Sequence, residues 1–214
     1  MLEVHHRGLK VTRRPAQHRL AIGLIVITGC CVVSRTPIPS PDARLIANVP
    51  FFPQAPNECG PAALASLLGF FGHRVTPSAI AAEVYEPAVG GSSTVAMLTY
   101  GARHQLPIQT LRGDLADVYR EIDANRPLIA LHRQGLPFRD YHYIVVTGYD
   151  PRDGTVYGYS GRNPRAHWSS AEFARRWSAA DNWLLVWSGS DGEIAAPADG
   201  GARSEDHAEP GEGE

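Results

Sequence analysis

The chain has 214 residues, of which 43% are apolar and 20% charged, and a formal net charge of −2. This length holds one domain with ends or at most two small domains, and the charge balance argues against a nucleic-acid-binding protein, which needs a cationic face. The charge is uneven: residues 1–29 carry five Arg/Lys and one Glu, whereas residues 189–214 carry eight Asp/Glu against Arg203 alone. Opposite ends on a nearly neutral body suit processing and solvation rather than a binding surface.

In chain order, a basic stretch ending in Arg19 leads into Leu20-Ala-Ile-Gly-Leu-Ile-Val-Ile-Thr-Gly29, about ten residues of apolar character. That is too short to cross a bilayer as a helix but suits the core of a signal peptide. It runs into Ile27-Thr28-Gly29-Cys30, which resembles the bacterial lipobox. The resemblance implies a lipoprotein signal peptide over 1–29, lipidation of Cys30, and a membrane contact through the lipid anchor in the cell envelope. Residues 30–45, with Pro37, Pro39 and Pro41, read as a flexible tether.

The folded part is expected over 46–188. It opens with an extended, proline-containing stretch and then reaches Gln54-Ala-Pro-Asn-Glu-Cys59-Gly60-Pro61. Pro61 suits a first helical turn, and Leu64, Leu67, Leu68 and Phe71 recur at helical spacing. Cys59 therefore stands where a loop becomes a helix. There, unpaired N–H groups and the positive end of the helix dipole favour the thiolate. The ordinary alternative for a lone cysteine is a small buried hydrophobe.

Thr76-Pro77 predicts a helix to about Val84. Ser92, Ser93 or Thr94 caps a helix to His104, Leu106 to Leu111 reads as a strand, and Asp114 caps a short helix. Leu128 to His132 reads as a buried strand, and His132 itself as nothing more than its end. Tyr141 to Tyr149 and Thr155 to Ser160 form a hairpin around the turn at 150–154, Ser169 or Ser170 caps a helix carrying Phe173 and Trp177, and Trp183 to Trp187 closes as a strand. The four tryptophans read as core, with room for one at a cleft rim. Residues 189–214, rich in Gly, Ala, Glu and Asp, read as a disordered acidic tail. Helices first and an antiparallel sheet second indicate an α+β domain.

A cysteine nucleophile needs a base, and the base an orienting group. His142, near the start of the strongest strand, supplies an imidazole. Gln54, five residues before Cys59, can join a backbone N–H as an oxyanion donor worth about 3–4 kcal/mol of barrier. Its alternative is an exposed loop side chain.

Together, Gln54-x4-Cys59-Gly60-Pro61-Ala62-Ala63-Leu64 and His142-Tyr-x-Val-Val-x-Gly148 resemble the bacteriocin-processing, double-glycine-leader cysteine peptidases of family 39 and their C39-like relatives. Val84-Tyr-Glu-Pro-Ala and Gly91-Ser-Ser-Thr-Val-Ala-Met-Leu resemble stand-alone lipoprotein members. The resemblance implies a papain-like fold, Cys59 as nucleophile, His142 as base, Gln54 at the oxyanion hole, and a peptide or protein substrate. It departs in one place: the strand after the His142 strand has no acid to orient the imidazole. Asp150, eight residues on along a straight strand, would lie roughly 26 Å from His142. Asp140 is set aside on strand alternation. If the hairpin closes around 151–154, its partner strand returns to His142 near residues 161–163, so Asn163 and Ser160 are the two candidates.

No His-x3-His or Cys-x2-Cys spacing and no phosphate-binding glycine loop is present, so no metal, cofactor or ATPase is expected. Three readings stand: a cysteine peptidase, a non-catalytic peptide-binding envelope lipoprotein on the same fold, and an acyltransferase or deamidase.

Overall fold

The computed structural model describes residues 37–135 and 140–189. The expected signal peptide, the lipidation site at Cys30 and nearly all of the acidic tail lie outside the described residues. Among the described residues, five helices and seven strands follow in the order β1 (Arg44–Leu45), α1 (Cys59–Phe70), α2 (Pro77–Val84), α3 (Thr94–Arg103), β2 (Ile108–Arg112), α4 (Leu115–Asp123), β3 (Leu128–Gln134), β4 (Asp140–Tyr149), β5 (Val156–Ser160), β6 (Asn163–Trp168), α5 (Ser170–Ser178) and β7 (Trp183–Trp187). The strands form one antiparallel sheet in the order β2-β7-β3-β4-β5-β6, with β1 also paired to β4. This is an α+β fold.

Local chemistry explains most of the boundaries. Thr76, Ser93, Asp114 and Ser169 each accept a bond from the N–H three residues on, which satisfies a donor the helix cannot. Asp114 and Asp117 form a reciprocal capping box. Helix α1 is different: it is apolar on every side and buried from Gly60 to Leu68, so it is a central element and not a surface one. It packs on β3 and β4. Those two strands are buried almost continuously rather than in alternation, which requires cover on both faces of the sheet centre. Leu64, Leu67, Ile129, Ala130 and Val146 are fully buried there.

Two strands depart from the sequence reading. Asn163–Trp168 is assigned to no element there, yet forms β6 at the sheet edge. Only one side of an edge strand carries a ladder, so Pro164 and the exposed Arg165 are tolerated. β1 falls inside the stretch read as a tether. It takes the place beside β4 where β3 has ended: β3 pairs no further than Val146, while Arg44 and Leu45 pair with Tyr149 and Gly148. The segment before it is tied to the far end of β4. Asp150 accepts bonds from the Ser40 N–H at 2.8 Å and the Ser40 hydroxyl at 2.9 Å, and Arg152 pairs with Asp42 at 2.7 Å. Among the described residues, hydrogen bonding therefore begins at Ser40.

Candidate active site

Cys59 is the first residue of α1, and Glu58 before it makes no side-chain cap bond. The first N–H groups of the helix are thus left for another acceptor. The backbone N–H groups of Tyr143 on β4 and of Gly60 and Cys59 at the helix start each favour negative charge on the sulfur. Gly60 is needed for this packing, because a Cβ there would stand 3.0 Å from both Ser92 Cβ and Met97 Sδ. The expectation of an acidified thiol is corrected here. Burial raises the Cys59 pKa and outweighs the three N–H groups that lower it. At rest the sulfur is a thiol.

His142 is buried, and its Nε2 lies 2.9 Å from the Ser160 hydroxyl. With Nε2 so engaged, Nδ1 is the ring nitrogen left to take a proton. Desolvation, then the charge of Arg176, lowers its pKa to about 4, so the resting imidazole is neutral. Of the two candidate orienting residues, the structure brings Ser160 to the imidazole and leaves Asn163 away from it. The reason is the turn. Ser160 pairs with Asn163 across Gly161-Arg162, and Gly161 adopts φ 63°, so β5 stops one residue past its Tyr159–Val145 pairing with β4. Asn163 is carried into β6, is exposed, and accepts the Arg165 N–H at 2.9 Å.

Neither nearby aspartate replaces it. Asp150 is occupied by Ser40 and the Arg152 N–H. Asp140 lies two residues from His142 and so shares its face of β4 rather than the opposite one, which corrects the alternation argument. Its carboxylate is turned toward the end of β3, where a Cβ on Gly135 would stand 3.0 Å from Oδ2.

Two residues near the site escape a reading of the sequence. His132 stands directly opposite His142 across β3 and β4, and is 2% exposed. It meets the ring edges of Trp168 and Phe173 at 5.4 and 4.9 Å, and its Nε2 has no hydrogen-bond partner among the described residues. Burial, with Arg176 and His142 adding to it, lowers its pKa to about 3. Arg176 comes from α5, where it pairs with Glu172 at 2.7 Å. A histidine inside an apolar strand, such as Leu-Ile-Ala-Leu-His132, is the one local hint. Nothing local predicts that α5 lies over it.

Gln54 sits at the end of the extended stretch before α1, and its N–H donates to the Gly161 carbonyl at 3.2 Å. Gln54, Cys59 and His142 line one open cleft of about 720 Å³. Val89, Gly91 and Ser92 form part of its wall, and Trp183 is the tryptophan at its rim. The Tyr143 hydroxyl holds that wall by donating to the Ser92 carbonyl at 3.1 Å. Among the described residues no cluster of His, Cys, Asp and Glu could hold a metal ion, and no helix is long and apolar enough to cross a membrane.

A helix-borne thiol and a strand-borne imidazole on one cleft, within an antiparallel α+β fold, define a papain-like architecture. The family model described as the Peptidase_C39 like family matches residues 46–183, and this chain belongs to that family. Solved structures agree on the fold. A protein from Bacillus anthracis described as a C39-like peptidase is 16% identical with a TM-score of 0.58, covering 69% of this chain and 98% of its own. The peptidase domain of Streptococcus ComA, a bi-functional ABC transporter of a quorum-sensing pathway, is 16% identical with a TM-score of 0.55, covering 66% and 100%. A double-glycine-motif protease from an AMS/PCAT transporter, solved with its leader peptide, is 18% identical with a TM-score of 0.52, covering 69% and 96%. No curated protein matches the chain.

Proposed function

We propose that this chain is a cysteine peptidase acting on peptides in the bacterial cell envelope, held there by a lipid on Cys30. The observation that carries the catalytic reading is that Cys59 at the start of α1, His142 on β4 and Gln54 line one cleft, with the Tyr143 N–H beside His142 favouring charge on the sulfur. The resting pair is neutral, so attack and proton transfer are concerted in this reading. His142 Nδ1 takes the thiol proton as sulfur bonds the carbonyl carbon. The Cys59 N–H and the Gln54 side-chain amide receive the oxygen as it gains charge. Collapse returns the proton to the leaving amine and leaves a thioester, which water then hydrolyses. Ser160 accepts from His142 Nε2–H and keeps the ring in the required tautomer. A peptide substrate is supported by the leader peptide bound to the transporter protease of like fold. The anchor rests on the Ile27-Thr28-Gly29-Cys30 pattern.

A second reading has its own observation. A hydroxyl in place of an acid, with Arg176 acting against the imidazolium, weakens His142 as a base. That suits a peptide-binding lipoprotein that retains the groove without the reaction. A peptide-based acyl-mimic inhibitor separates the two: stoichiometric labelling of Cys59, lost in Cys59→Ala and reduced in His142→Ala, is expected of the peptidase and not of the binding protein.

A further inference from the structure

The last two residues of β5 and Gly161 just after it each contact a different part of the site. The Tyr159 hydroxyl donates to the Val49 carbonyl at 2.8 Å, and its ring meets Phe51 edge-on at 5.2 Å. The Ser160 hydroxyl engages His142 Nε2 at 2.9 Å. The Gly161 carbonyl accepts the Gln54 N–H at 3.2 Å. Residues 49–54 make no ladder of their own in the sheet. Beside the packing of Val49, Pro50 and Phe52, their position next to Cys59 is held by these two bonds and one ring contact. Tyr159 is in turn anchored by its pairing with Val145, three residues past His142 on β4. Tyr159, Gly161 and Gln54 close around the same small cavity behind Cys59.

We propose that the end of β5 is a clamp that fixes the oxyanion donor and the base in one register, with Tyr159 and Gly161 as positioning residues. Tyr159 acts through residues 49–54 on Gln54, and its neighbour Ser160 acts on His142. Gly161 serves both, because its φ of 63° ends the strand at Ser160 and turns its carbonyl to Gln54. The inference rests on the reading of Gln54 as an oxyanion donor, but its geometric content stands apart from activity.

Tyr159→Phe keeps the ring and removes the hydroxyl, and two readouts test it. By hydrogen-exchange mass spectrometry, the Gln54 amide, which the Gly161 carbonyl protects, should exchange about tenfold faster as the segment loosens by one hydrogen bond, while α1 is unchanged. Acylation by p-nitrophenyl acetate should fall about tenfold, part of what a whole oxyanion donor supplies. The same substitution in a Gln54→Ala background should cost nothing more, since positioning acts through the missing group. Alkylation of Cys59 by iodoacetamide, which needs no oxyanion donor, should stay within about twofold of the parent. Unchanged exchange at residues 49–54, or losses in acylation that multiply between the two substitutions, would overturn the clamp. If the parent protein is not acylated at all, the peptidase reading fails, and exchange at residues 49–54 alone decides the clamp.

Discussion

Ser160 places its hydroxyl 2.9 Å from Nε2 of His142, where an orienting carboxylate would be expected. A hydroxyl can fix the tautomer, but it brings no charge to favour the imidazolium. Arg176 on α5 opposes it, and burial lowers the pKa of His142 to about 4. The cleft thus holds a thiol and a neutral imidazole.

Ser160→Asp reverses that balance. A carboxylate at this place stabilises the imidazolium and raises the His142 pKa from about 4 toward or above its ordinary value. The ion pair with Cys59 is then favoured, and iodoacetamide alkylation near pH 6 should rise about tenfold over the parent. Ser160→Ala should instead reduce acylation by about an order of magnitude without loss of fold. Equal alkylation rates in parent and Ser160→Asp would contradict the role given to the hydroxyl.

The two buried histidines set an acid limit on stability. Both have folded-state pKa values lowered from an ordinary 6.5, to about 3 for His132 and about 4 for His142. Between those values and 6.5 the unfolded chain binds more protons than the folded one, so stability is full above pH 6.5 and falls as pH drops toward 4. Each histidine contributes a slope of about 1.4 kcal/mol per pH unit. Denaturant titrations of the parent at pH 7, 6, 5 and 4 should show the two-proton slope, and His132→Phe should halve it. A flat profile from pH 7 to 5 would contradict the burial of both rings as neutral groups.

Asp150 should matter for the attachment of the first strand and not for catalysis. The Arg152 N–H, then the Ser40 N–H and hydroxyl, lower its pKa, so its contribution is present above the ordinary carboxylate range and lost as pH falls through the folded value. Asp150→Asn should reduce Tm by about 5 °C and open the residues around Ser40 to limited proteolysis. Acylation by p-nitrophenyl acetate should be unaffected. Retention of protease resistance around Ser40 would show that β1 alone holds the segment.

Most of the fold was legible because its signals are local. Helical spacing of Leu64, Leu67 and Leu68, the caps at Thr76, Ser93, Asp114 and Ser169, and the Tyr141–Tyr149 strand each follow from a few neighbouring residues. The strands that escaped, β1 and β6, are a two-residue strand and an edge strand holding Pro164, which owe their existence to β4 and β5 rather than to their own composition. The same divide runs through the site. Cys59, Gln54 and His142 stood out by type and spacing. The choice between Ser160 and Asn163 depended on where Gly161 turns the chain, and the company of His132 and Arg176 on how distant elements pack. The acidity of Cys59 was misjudged for the same reason, since burial by the whole fold outweighs the local helix start.

The central claim is that Cys59 and His142 form a working nucleophile and base. Intact-protein mass spectrometry after incubation with a peptide-based acyl-mimic inhibitor tests it most directly. The account predicts one adduct per chain, mapped to Cys59, absent in Cys59→Ala and formed at least tenfold more slowly in His142→Ala. A parent protein that stays unlabelled, or labels equally fast without His142, would contradict it.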